Sequence, residues 1–304
     1  MSSNNTVLDP VLSEEQLETF YRDGFVVVKV FEEEDFEPVK DVITSWIDRR
    51  VVELQEEGVA MKPYVEVPFE QRAAKMLAQA SNFFDGFDLN TGLLSPEVFS
   101  HMSHPRMVSA VSQILGEKIS LNPVMHIRVK PPHDPDMTRT GFDNVPWHQD
   151  AGVYTEDSDG TMILTCWRPI CGATELMGCM ELIPGVEGPE PLLHEGSSYG
   201  TSIYPEELPE TSPVPAPCKP GEVVIMHQYT PHRSGKNLSD LCRWSMDIRY
   251  HVEGAPSGRP WQPEAPLTGD KRFSGEDWVE AWRACMARGD MRTKHRVTPR
   301  AEVS

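Results

Sequence analysis

The chain has 304 residues, 39% of them hydrophobic and 25% charged, with a net charge of −19. That balance is enough to bury a core and is ordinary for a globular protein. The acidic surface argues against nucleic acid or an anionic membrane as the main partner, because both are polyanions.

Residues 1–11 read as disordered, and they lack the basic and apolar regions of a secretory signal. Residues 12–23 predict a helix: Ser13 is placed to cap it with Gln16 three residues on, Leu17 and Phe20 supply an apolar face, and Gly24 ends it. A short β-branched strand follows over 25–28. Over 36–57 the apolar residues Val39, Val42, Ile43, Trp46, Ile47, Val51 and Leu54 recur at helical spacing, as in an amphipathic support helix. Residues 60–100 are mixed, with Tyr64, Phe83, Phe84 and Phe87 suited to either core or pocket. A helix is expected over 104–115, a strand over 119–129, and a loop from Pro131 to residue 144.

Further on, strands are expected over 162–170, 178–185, 222–226 and 241–252, with one helix over 276–286. Residues 187–220 are rich in Pro, Gly, Ser and Glu and read as a long loop or lid, and 228–240 as a loop. No composition break marks a second domain, so residues 1–304 read as one domain, with 253–304 as a C-terminal extension. Helices first and then many short strands predict a mainly β protein with flanking helices. No apolar run approaches the roughly 20 residues that span a bilayer. The six cysteines are too sparse for a disulfide scaffold and read as reduced thiols of a cytoplasmic protein.

The chemistry concentrates around His148 and Asp150. In a strand, residues two apart share a face, so this spacing sets an imidazole beside a carboxylate. The pair is two thirds of the two-histidine, one-carboxylate face that holds non-haem Fe(II). His-x-acid is a short pattern, and it recurs at His251-Val252-Glu253, so alone it carries little weight. A second histidine has to come from downstream, where His194, His227, His232, His251 and His295 are the candidates, His227 and His232 foremost. His232 is followed by Ser234, Asn237 and then Arg243, whose guanidinium is suited to gripping a carboxylate through two parallel hydrogen bonds. Arg249 shares a strand face with Arg243, so pattern alone does not separate them.

His148-x-Asp150, Gly178-Cys179-Met180-x-Leu182-Ile183-Pro184-Gly185, Gly221-Glu222-Val223-Val224, His232-x-Ser234-x-x-Asn237 and Arg243, in that order, resemble the phytanoyl-CoA dioxygenase family over residues 12–252. The resemblance implies a double-stranded β-helix, or jelly roll. It implies an enzyme using Fe(II), 2-oxoglutarate as cosubstrate and O2. His148, Asp150 and His232 would then be the iron ligands, and Arg243 would bind the distal carboxylate of 2-oxoglutarate with help from Ser234. Trp167 would flank the cosubstrate, and Lys75 would match a lysine that helps to bind it. Because the carboxylate is present, the implied outcome is oxidation, hydroxylation foremost, with release of succinate and CO2. The expected substrate is a free small molecule, with Arg128, Lys130, Arg139, Tyr154, Tyr64 and Arg249 as candidate pocket residues. Two readings compete: a non-catalytic jelly roll that binds metal or ligand, and an interaction protein whose His-x-Asp is accidental.

Overall fold

A computed structural model describes residues 9–135, 145–185, 190–197, 200–293 and 295–297. Local signals set the first element. Ser13 and Gln16 form a reciprocal capping box that starts α1 (Glu14–Asp23), and Gly24 ends it at φ +82°, a conformation that favours glycine. The chain turns directly into β1 (Phe25–Lys29). Four more helices follow: α2 (Glu37–Glu56), α3 (Phe69–Gln79), α4 (Pro96–Met102) and α5 (Pro105–Leu115). Then come β2 (Ile119–Leu121), β3 (His126–Lys130), β4 (Ile163–Pro169), β5 (Met180–Leu182), β6 (His194–Ser197), β7 (Gly200–Ile203) and β8 (Val214–Ala216). The chain closes with β9 (Glu222–His227), β10 (His232–Ser234), β11 (Arg243–Val252), β12 (Ala265–Pro266) and α6 (Gly275–Ala287).

Seven strands form one antiparallel sheet in the order β1-β9-β4-β11-β2-β12, with β3 also on β11. β3 pairs with the first half of β11 and β2 with its end, so the two lie in line along one edge of the longest strand. A smaller sheet runs β10-β5-β8, and β6 pairs with β7. Alternation then sorts the side chains. Val26, Val28, Leu164, Cys166, Val223, Ile225, Trp244, Met246, Ile248 and Tyr250 join the helices in the larger core. Phe25, Trp167, Val224 and Met226 face the other way and pack with Cys179, Met180, Leu182, Ala216 and Cys218 around the small sheet. Period-2 alternation on a sheet covered on both sides gives this division. The result is a jelly roll with helices over the back of its large sheet, the mainly β architecture expected.

Several boundaries differ from expectation. Residues 60–100 contain α3 and α4, and the expected strand over 119–129 is split by Asn122 to Met125. The stretch expected as a long loop carries β6, β7 and β8. These strands are too short to show alternation, and β8 is an edge strand with Pro215 at its centre. The expected loop over 228–240 contains β10, three residues long. All six cysteines are free. Among the described residues, no helix is long and apolar enough to cross a membrane.

Candidate metal centre and cosubstrate pocket

His148 reaches the site by a different local geometry from the one expected. It lies not in a strand but in a single bridge, exchanging backbone hydrogen bonds of 3.0 and 2.9 Å with His232 on β10. Gln149 stays extended (φ −113°, ψ 141°), and Asp150 opens a short 3-10 turn, Asp150–Val153. One extended residue between the two is enough to keep both side chains on one face. The bridge does the rest, setting the imidazoles of His148 and His232 with centroids 4.1 Å apart.

Each imidazole is oriented in the same way. The Nδ1–H of His148 donates to the Pro146 carbonyl and that of His232 to the Thr230 carbonyl, both at 2.9 Å. Those bonds leave each Nε2 as a lone-pair donor for a metal. Ligand atoms of His148, Asp150 and His232 all lie within 4.8 Å of one another, and the three are able to hold a metal ion. His227 does not join them. It sits at the end of β9 with its Nδ1 accepting from the Tyr229 amide.

Charge at the centre is tightly paired. Arg249 on β11 donates to both oxygens of Asp150, and Thr165 on β4 donates its hydroxyl to one of them. Burial is the largest influence on the Asp150 carboxylate and raises its pKa, but the Arg249 guanidinium and the neighbouring His232 and His148 together outweigh it and hold the pKa well below the usual range. Desolvation, reinforced by His232, pushes the His148 imidazole down to about 3. Arg249 is therefore tied to the Asp150 carboxylate.

Arg243 has a different situation. It is only 2% exposed, it donates one hydrogen bond to the Gly178 carbonyl, and its Nε has no partner. Its guanidinium lies over the Trp167 ring at 5.3 Å. Burial lowers its pKa to about 10. Ser234 lies nearby, its hydroxyl accepting from Lys130 at 2.9 Å. His148, Asp150, His232, Trp167, Ser234 and Arg243 line one narrow cavity between the sheets.

A wider cavity of about 550 Å³ shares Arg128, Val145, His148, Asp150 and Arg249 with the narrow one. That volume is typical of a small-molecule site. Arg128 pairs with Asp247 at 3.0 Å where the two cavities meet. Phe87 lines the wide cavity, whereas Phe83 and Phe84 are buried in the core.

Other expected residues lie elsewhere. Lys75 is exposed on α3 and lines neither cavity, because that helix buries the opposite arc through Arg72, Ala73, Met76 and Leu77. Tyr64 sits in a turn at φ +47° beside the helical core, and Tyr154 packs behind Asp150 with Val124 and Ile163. Lys130 braces Ser234 and the Gly235 carbonyl. Arg139 lies outside the described residues. The sequence reading missed Thr165, and also Gln149, whose amide donates to His194 Nε2 at 3.2 Å. Neither belongs to a recognisable pattern.

Residues 20–244 match the phytanoyl-CoA dioxygenase (PhyH) family. This chain belongs to that family. A phytanoyl-CoA dioxygenase domain-containing protein 1 from Bos taurus is 29% identical over 175 residues, which is 55% of this chain and 56% of the cattle protein. The match thus spans little more than half of that relative's length. A 2-aminoethylphosphonate dioxygenase from an uncultured bacterium, HF130_AEPn_1, is 25% identical over 239 residues, covering 79% of this chain and 81% of its own. Among solved structures, the apo non-heme monooxygenase ThoJ superposes with a TM-score of 0.60 at 19% identity, over 89% of this chain and 93% of its own. The epimerase SnoN, solved with Fe3+, alpha ketoglutarate and nogalamycin RO, superposes with a TM-score of 0.52 at 19% identity, over 85% and 96%. These likenesses establish the fold.

Proposed function

We propose that this member of the family is an Fe(II)- and 2-oxoglutarate-dependent dioxygenase acting on a small molecule. His148, Asp150 and His232 hold the iron, and Arg243 receives the distal carboxylate of 2-oxoglutarate. The observation that carries this reading is Arg243: a buried guanidinium with an unpartnered Nε, in the same narrow cavity as the His-Asp-His cluster. A buried cation with open donors is suited to a carboxylate. When bound, the iron and 2-oxoglutarate supply the oxidising chemistry, hydroxylating an unactivated carbon with release of succinate and CO2.

The protein's own residues do the positioning. Carbonyls of Pro146 and Thr230 fix the two imidazoles, and Arg249 with Thr165 fixes the Asp150 carboxylate. Trp167 supports the Arg243 guanidinium from below, and Ser234, held by Lys130, offers a hydroxyl beside it. His148 and Asp150 also face the wide cavity, which gives the substrate its place. That cavity has a mixed lining, with Asp88, Asn90, Thr91 and Gln262 beside Phe87, Val124, Met125 and Met291, which suits a small molecule with both polar and apolar parts. We read residues 1–304 as one dioxygenase domain.

The test is an anaerobic titration of metal-free protein with Fe(II) and then 2-oxoglutarate, followed by visible absorbance. Chelation of Fe(II) by the keto acid gives a weak charge-transfer band. The band is expected in the wild type and lost in Asp150→Ala. Iron binding without a band would move the protein to the non-catalytic jelly-roll reading.

A further inference from the structure

The family match ends at residue 244. Even so, Arg259, Gln262, Met291, Thr293 and His295, all beyond it, line the wide cavity. Met291, Thr293 and His295 arrive because the chain after α6 returns to the site as a strap fastened at two points. At the first, the Arg292 carbonyl accepts from Trp261 Nε1 at 3.1 Å and from Arg259 Nη1 and Gln262 Nε2 at 3.4 Å. The Arg292 guanidinium also stacks 4.7 Å over the Trp261 ring. At the second, the Arg296 amide donates to the Gly152 carbonyl at 2.7 Å, and its guanidinium donates to the carbonyls of Tyr154 and Thr155 and pairs with Asp159. Gly152 belongs to the turn that begins at Asp150, so this latch grips the backbone next to a metal-site carboxylate.

Between the two fastenings sits His295. Its imidazole packs against Gly200 so closely that a Cβ there would meet it at 2.5 Å. Burial, together with the charges of Arg259 and His126, lowers its pKa. Arg259 and His295 therefore meet at one cavity in a chain of net charge −19. Arg259 is 3% exposed, and its Nε and Nη2 both donate to the Val153 carbonyl, at 3.0 and 2.7 Å, which fixes the guanidinium plane. The Arg259 guanidinium thus brings a fixed positive charge to the cavity wall, and the His295 imidazole beside it offers a hydrogen bond to an anion there.

We propose that the substrate is a small organic anion whose charged end is received by Arg259 and His295, and that the strap carrying His295 selects it. This rests on the reading that the wide cavity holds the oxidised substrate. The strap is a specificity element added to the family's catalytic frame.

The experiment uses the full chain loaded with Fe(II) and 2-oxoglutarate. Succinate release is measured with 2-aminoethylphosphonate, 2-aminoethanesulfonate and 3-aminopropanoate, and with the uncharged-end analogue 2-aminoethanol. At least one of the three anions is expected to raise succinate release tenfold or more over the no-substrate rate, and 2-aminoethanol is not. For that anion, His295→Ala and the milder His295→Gln should raise KM at least tenfold while the charge-transfer band stays as in the wild type. Hydrogen exchange in peptides spanning Met291 to Val297 should slow when the anion is added. The proposal is overturned if 2-aminoethanol matches the anions, if no anion raises turnover although the band forms, or if KM is unmoved in both His295 variants. A band that never forms overturns the cosubstrate reading instead, and the substrate site falls with it.

Discussion

Replacing Arg243 by methionine should separate binding from stability, with opposite signs. In the protein without cosubstrate, burial lowers the Arg243 pKa from 12.5 to about 10. At 1.36 kcal/mol per unit, holding that charge costs the folded state about 3 kcal/mol. Stacking over Trp167 returns roughly 1–2 kcal/mol of this. Met fills most of the same volume without a charge, so Arg243→Met should stabilise the empty protein by roughly 1–2 kcal/mol. Thermal unfolding should then rise by a few degrees. The carboxylate of 2-oxoglutarate, by contrast, loses two charge-assisted hydrogen bonds of roughly 1.5–3 kcal/mol each, so its Kd should rise about 10²- to 10⁴-fold. Calorimetry of the empty protein and the anaerobic band titration measure the two effects. A variant that melts earlier than the wild type, yet binds 2-oxoglutarate as tightly, would refute the reasoning on both counts.

Three further outcomes follow from the same geometry. Asp150→Asn strips the partner from a buried Arg249 and should cost about 3–5 kcal/mol in guanidinium chloride unfolding. Adding Arg249→Met should restore most of that stability but not Fe(II) binding, and a single variant costing under about 1 kcal/mol would contradict this. Metal analysis after reconstitution should find Fe(II) lost in His232→Ala and retained in His227→Ala. Retention in the first or loss in the second would reassign the ligand. His101 and His194 are held neutral, chiefly by burial, at pKa values of about 3 and 4, below the ordinary 6.5. The unfolded chain takes up protons first, so the stability they confer is full above about pH 6.5 and is lost as pH falls towards 3. Urea midpoints at pH 7, 5 and 4 should therefore decline, and less steeply in His101→Gln, whereas an unchanged slope would show that His101 is not the titrating group.

What the sequence made legible was whatever is local or periodic. Ser13 and Gln16 cap a helix within their own turn, and β11 alternates over ten residues, so both were readable. His232, which the structure gathers with His148 and Asp150, was singled out by its register with Ser234 and Arg243, although β10 itself is too short to show a pattern. Long-range pairing was not readable. Nothing near Asp150 in sequence announces Arg249, 99 residues away, as its partner, and nothing in a polar tail announces that Arg296 bonds back to Gly152. Lys75 illustrates the reverse error. Its neighbours fit a pattern, but the helix that carries it turns its other arc inward.

The strand that organises the site is fixed by residues that never touch it. On β11, Arg243, Asp247 and Arg249 face the cavities, while Trp244, Met246, Ile248 and Tyr250 face the helices. The register is Arg243 against Lys130, Asp247 against Trp167 and Arg249 against Thr165. A one-residue slip would exchange the two faces. It would drive two guanidiniums and a carboxylate into the helical core and expose four large apolar side chains, each worth roughly 1.5–3 kcal/mol of burial. The core alone therefore enforces the register, with several kcal/mol to spare over any single contact in the site. The same register accounts for the division of labour between the two arginines. Six residue steps along the strand separate their backbones by roughly 20 Å, so one guanidinium cannot substitute for the other. Arg243 meets the cavity beside Trp167 and Ser234, and Arg249 meets Asp150. Parity puts them on one face, and spacing sets one over Trp167 and pairs the other with Asp150.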